Sequence, residues 1–112
     1  MNQIIVEKNP AQAHLDTLGV TKWETWEKEI SVFPWDFPEQ EIAYILAGEC
    51  VITPTGGTPV SFGKGDLVTF PAGLSGSWEV KQPLHKHYKL EGNALTQAYV
   101  RVKLAIKKAL KL

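Results

Sequence analysis

One cysteine, three histidines and no long apolar run set the first limits on this 112-residue chain. With Cys50 alone no internal disulfide can form, which fits a reducing compartment, and a cytoplasmic location is expected. The length is that of one domain large enough to bury a core without covalent staples. No stretch approaches the ~18 consecutive apolar residues of a membrane span. The first residues have neither a charged n-region nor a long apolar h-region, so no signal peptide is expected. There is no serine or cysteine nucleophile pattern and no glycine-rich phosphate loop. Internal repeats are also absent.

Charge is balanced overall but unevenly placed. Residues 94–112 hold five basic residues (Arg101, Lys103, Lys107, Lys108, Lys111) and no acidic one, while the rest holds seven basic and all twelve acidic residues, a formal charge of −5. In the same final segment Leu95, Tyr99, Val102, Ile106 and Leu110 recur every three to four residues. That period predicts a basic amphipathic helix of roughly 17 residues. Such a helix could dock on its own acidic body, pair with a second subunit, stay a loosely held tail or meet an anionic partner. An acidic body with so small a basic footprint argues against a nucleic-acid surface.

Before that tail the pattern is β. A short helix is expected at 11–18 after Pro10, stopped by Gly19. Strands are expected near 29–33, at 42–46 and, after a turn at Gly48 and Glu49, at 50–53. The Gly56-Gly57 pair supplies the positive φ of a tight hairpin leading into 60–62. Gly63-Lys-Gly-Asp66 turns into a strand at 67–70, and residues 77–80 and 85–90 read as a last pair around Gln82-Pro83. Short strands punctuated by Gly and Pro argue an all-β barrel or sandwich. The expected layout is an N-terminal helical arm (1–21), a barrel (22–91) and the added C-terminal helix (92–112).

Two blocks carry a resemblance: Glu41-Ile-Ala-Tyr-Ile-Leu-Ala-Gly48 and Gly65-Asp-Leu-Val-Thr-Phe-Pro-Ala-Gly73. With Trp26-Glu-Lys-Glu-Ile30, Phe33-Pro-Trp35, Trp78-Glu-Val80 and Lys86-His-Tyr-Lys-Leu90, they make residues 22–90 resemble the small single-domain cupins of the (S)-ureidoglycine aminohydrolase cupin-domain family, within the RmlC-like superfamily. The resemblance implies a jelly-roll β-barrel of six to eight antiparallel strands, often dimeric, holding a metal ion inside. Its first motif runs His-x-His, a short gap, Glu, six residues, Gly. Counted back from Gly48, the glutamate is Glu41, and the histidines fall on Pro34 and Asp36 or on Trp35 and Phe37. The second motif's histidine falls on Gly76. One carboxylate remains where several ligands are needed, and a transition metal held by it alone would be weakly bound.

If Glu41 faces inward as the resemblance implies, strand alternation sends Ala43 and Ile45 inward too, with Ile42, Tyr44 and Leu46 outward. Val68, Phe70, Trp78 and Val80 join the inner face. The expectation is an aromatic cavity for a small polar or carbohydrate-like molecule, with Glu41 as anchor and tentative catalytic group, and with Trp35, Phe70, Trp78, Tyr88 and Lys86 as ligand-binding residues. Trp35 and Trp78 could instead simply fill the barrel. A carboxylate in apolar surroundings is driven toward its neutral form unless a cation or donor sits beside it. The bland alternative for Glu41 is a salt bridge to Lys86 or a hydrogen bond to Tyr88. No metal is expected with assurance. The weak candidates are Glu41, Asp36 and the His85-Lys-His87 pair, for manganese, zinc or nickel, and His87 could join Glu41 only if odd-numbered residues of its strand face inward. His14 reads as surface, Cys50 as buried, and Trp23 and Trp26 as packing or interface residues. Alternatives to a binding barrel are a manganese-type small-molecule enzyme and an assembly scaffold.

Overall fold

The computed structural model describes residues 3–91, so the expected C-terminal helix lies outside the described residues. Within them run β1 (Ile5–Glu7), α1 (Gln12–Leu18), a 3-10 turn (Val20–Lys22), β2 (Glu24–Lys28), β3 (Ser31–Phe37), β4 (Gln40–Pro54), β5 (Val60–Gly63), β6 (Leu67–Phe70) and β7 (Leu74–Glu91). All strand pairings are antiparallel.

Two long strands organise the rest. β4 and β7 pair from Gln40↔Glu91 to Pro54↔Gly76. On its far side β4 pairs first with β6 and then with β5, and β7 pairs first with β3 and then with β2. One layer thus reads β1-β6-β4-β7-β2, and the other reads β5-β4-β7-β3. Both layers share the two long strands, which bend midway and fold the layers over one core. This is the all-β jelly-roll barrel expected from the sequence.

The bend corrects two expectations. Gly48-Glu49 does not separate two strands, and Gln82-Pro83 does not turn a hairpin: each lies inside one continuous strand. Pairing slips at Ile45/Ala47, Ala47/Glu49 and Glu49/Cys50. Buried residues on β4 therefore change from odd (Glu41, Ala43, Ile45) to even (Cys50, Ile52), whereas on β7 they stay even (Leu74, Trp78, Val80, Leu84, Lys86). The slips insert extra residues on both strands, first on β4 and then on β7, but the inward parity changes on β4 alone, so the pair bends while keeping its apolar face inward. Gly48 permits the approach: its φ is 106°, and a Cβ there would lie 2.5 Å from the Pro83 carbonyl oxygen. Pro83, which has no N–H to offer a ladder, sits at this irregular point, where a strand tolerates proline. A third correction concerns 29–33, where two strands, β2 and β3, meet at a break over Glu29 and Ile30.

Gly19 ends α1 in the left-handed region (φ 70°) and returns its N–H to the Leu15 and Asp16 carbonyls, as a helix C-terminus requires. The helix then lies against the outside of the sheet. Leu15, Val20 and Leu67 are buried there with Leu18, Trp23, Ile42 and Tyr44 around them. Ile42 and Tyr44 face outward as alternation requires, and the helix covers them. Short β1, which the sequence reading did not contain, adds an edge to β6. Buried Asp66 fixes the β5–β6 turn by accepting the Gly63 N–H at 2.8 Å and the Lys8 ammonium at 2.7 Å.

Because the bend needs both a positive φ and the absence of a Cβ, we expect Gly48→Ala to destabilise the fold by about 3 kcal/mol or more. Urea unfolding followed by tryptophan fluorescence would measure it, and a loss under about 1 kcal/mol would show the bend to be tolerant.

Candidate functional site

Inside the layer formed by β4, β6, β7 and β2, Glu41 and Lys86 point to the same interior. Lys86 stands opposite Ile45 in the register, two inward positions away from Glu41. Ala43 lies between them on that face. The ammonium Nζ donates to Glu41 Oε2 at 2.5 Å, with the side chains 4% and 8% exposed. Both charges have therefore left water. Removing one member of such a pair typically costs about 3–5 kcal/mol, although the pair as a whole adds little net stability.

Aromatic rings surround the ammonium. Nζ lies 4.7 Å from the Trp78 centroid, 5.1 Å from Trp26, 5.6 Å from Phe70 and 5.7 Å from Tyr88. Ring faces attract a cation, most of all where water is excluded. Trp78 is the hub of the interior, with Phe33, Phe37, Phe62 and Phe70 at centroid distances of 5.9, 6.0, 6.0 and 5.6 Å. Phe37 and Phe70 stack at 4.6 Å.

The sequence-predicted ligand residues divide by depth. Phe70 and Trp78 are buried within this packing, while Trp35 and Tyr88 are half-buried at its edge. The Tyr88 hydroxyl donates to Glu24 Oε2 at 3.0 Å. Trp26, read as packing or interface, belongs to the rim as well, 6.0 Å from Trp35 and directly over Lys86. Its clue in the sequence was its even position on β2, which matches the inward parity of Lys28 and the core-facing side of β7. Buried Glu39, two residues before Glu41, was not singled out.

The weak metal candidates do not converge. Even residues of β7 face inward, so His85 and His87 face out. His85 Nε2 lies 3.7 Å from Glu27 Oε1, and His87 Nδ1 lies 3.2 Å from the Trp23 carbonyl. Asp36 is exposed and accepts the Ser75 hydroxyl at 2.8 Å. Among the described residues no three His, Cys, Asp or Glu side chains are gathered closely enough to hold a metal ion.

The residues at the motif's histidine positions do not fit one either. Trp35 and Phe37 pack as rings, and Pro34 and Asp36 are exposed. Gly76 has no room for any side chain, since a Cβ would collide with the Thr53 carbonyl oxygen and stand 2.9 Å from Pro54 Cα. A divalent ion on the Glu41 carboxylate would also sit roughly 4 Å from the Lys86 ammonium, a repulsion of roughly 8 kcal/mol at an effective dielectric constant near 20.

A second concavity lies apart from this pair. An open groove of about 650 Å³ between β3, the end of β4 and the start of β7 is lined by Val32, Pro34, Asp36, Pro54 and Gly76 among others, and does not include Glu41 or Lys86.

Residues 15–88 match the family profile described as the EutQ-like cupin domain. The crystal structure of a DUF861 family protein from Thermotoga maritima is 43% identical, covers 80% of this chain and 100% of that one, and superposes with a TM-score of 0.77. The EutQ protein of Clostridium difficile is 26% identical, covering 59% of this chain and 52% of its own, with a TM-score of 0.54. A DUF1255 protein from Acidithiobacillus ferrooxidans, at 22% identity and a TM-score of 0.54, shares the fold. No curated protein matches. These likenesses support the cupin superfamily and do not single out the ureidoglycine aminohydrolase branch.

Cys50 closes the interior behind Trp78. Burial pushes its thiol above the ordinary 9.0, opposed by the Trp78 indole N–H and the Lys86 charge. The unfolded chain therefore gives up this proton first, and folded-state stability should fall as pH rises past 9.0, a slope that Cys50→Ala should remove. At pH 8 an aromatic disulfide reagent should label the native thiol on the order of a hundredfold more slowly than the denatured one. Equal labelling rates would show the interior to be open.

Proposed function

The chain belongs to the EutQ-like cupin domain family, and from that premise we propose that it is a small-molecule-binding barrel. The ligand is a neutral polar molecule of carbohydrate-like size. The Lys86–Glu41 pair is its polar anchor, and Trp26, Trp35 and Tyr88 are the rings it meets at the rim. The observation that carries this reading is a desolvated ion pair set among aromatic rings, two of which, Trp26 and Tyr88, are only half-buried, with half-buried Trp35 beside Trp26. A buried pair of this kind contributes little to stability over an apolar replacement, so its presence favours a functional role. The pair is electrically neutral as a unit, which favours an uncharged ligand with hydroxyl or carbonyl oxygens. Such a ligand can accept from the ammonium, donate to the carboxylate and lay an apolar face on an indole.

The manganese-type enzyme reading is weaker, because Glu41 is the one motif ligand that remains and it is engaged by Lys86. The scaffold reading gains from the dense packing around Trp78. A homodimer through the strand edges is compatible with either a binding or a scaffold role. No helix among the described residues is long and apolar enough to cross a membrane.

The test is a screen of neutral sugars, polyols and small carbonyl compounds by two-dimensional NMR. Binding should shift the indole N–H signals of Trp26 and Trp35 first, and Trp35→Ala should weaken it about tenfold while leaving the fold intact. If no probe moves these signals and light scattering shows a dimer that shields both indoles from quencher, the scaffold reading replaces this one.

A further inference from the structure

We propose that the Lys86 ammonium occupies the electrostatic role that a bound metal ion plays in a cupin, so that the barrel carries its cation as part of the chain. The inference rests on the geometry of the pair and not on the identity of any ligand, so either can fail alone.

Glu41 is held inward on β4 by alternation, and a desolvated carboxylate must be met by a cation or by donors. Lys86 meets it at 2.5 Å from the neighbouring strand. The rest of the surroundings suit an ammonium and not a coordinated metal. Its flanks are ring faces at 4.7 to 5.7 Å, which attract a monovalent cation but offer no lone pairs for coordination. Trp35 and Phe37 fill positions from which imidazoles would have to reach, and the backbone of β4 closes Gly76. The features depend on one another. Without the imidazoles the carboxylate would lack a cation, and with Lys86 in place a divalent ion would be repelled. Charge in the interior is then independent of metal supply, and the cation's position is set by the β4–β7 register.

The test uses the full chain. Elemental analysis after exposure to manganese, zinc, nickel and iron should find far less than one ion per chain, and none of them should shift the wild-type melting temperature. Near-stoichiometric metal that disappears in Glu41→Gln would overturn the proposal. Lys86→Met and Glu41→Gln alone should each lower the melting temperature by roughly 10 °C or more, while the double variant should melt above Lys86→Met alone. A double variant no more stable than Lys86→Met would overturn it, because the two charges would then be uncoupled. Lys86→Ala should be re-stabilised by n-propylammonium, which restores the missing cation and its stem, and not by n-propanol at the same concentration. Equal effects of the two additives would mean that only volume, and not charge, had been lost.

Discussion

The antiparallel pairing of β4 with β7 is the constraint on which the rest of this structure depends. It runs nearly the full length of both strands, through a bend, and every other strand of the barrel except β1 attaches to one of the two. The bend requires a glycine opposite the carbonyls of Gln82 and Pro83, and slips in register that change the inward parity on one strand alone. From that parity follow the apolar interior, the inward Glu41 and Lys86, and the outward His85 and His87. Moving the register of β7 by one residue would exchange lysine for histidine inside the barrel.

Charge and aromatic packing depend on each other at the centre. Trp78 and Phe70 exclude water, which makes an isolated charge costly and a matched pair necessary. In turn, a cation held between ring faces gives those rings a defined place rather than a merely greasy one. The half-buried rim of Trp26, Trp35 and Tyr88 is where this interior meets solvent. Cys50 takes no part in that rim. It sits behind Trp78, and its raised pKa is what apolar burial does to a thiol.

Much of the barrel could be read from local pattern. Alternation from Glu41 places Ala43 and Ile45 inside, and the second motif places Val68, Phe70, Trp78 and Val80 with them, where all are buried. Gly19 stops its helix as a C-terminal glycine should. The long bent strands were not legible, because Gly48 and Pro83 look locally like turn residues, and whether pairing continues past them depends on the facing strand. The same non-local fact decides the site. His85-Lys86-His87 offers two opposite faces, and the sequence cannot tell which one enters the barrel until β7 is registered against β4. The sequence offers two partners for Glu41, Lys86 and Tyr88. The three-dimensional register decides between them, since Lys86 donates to Glu41 while Tyr88 sends its hydroxyl to Glu24. Three-residue β1 carries too little pattern to be seen before its partner is known.

Gly76 has an evolutionary consequence. With the Thr53 carbonyl lying where a side chain would begin, a histidine cannot be reached here by mutating one codon and keeping the backbone. The strands would first have to separate at Pro54, and an intermediate so altered would lose ladder pairing before gaining a ligand. Close contact between β4 and β7 therefore acts as a ratchet: any route from this packing to an imidazole at position 76 passes through less stable proteins, and selection is left to elaborate the lysine-centred interior instead.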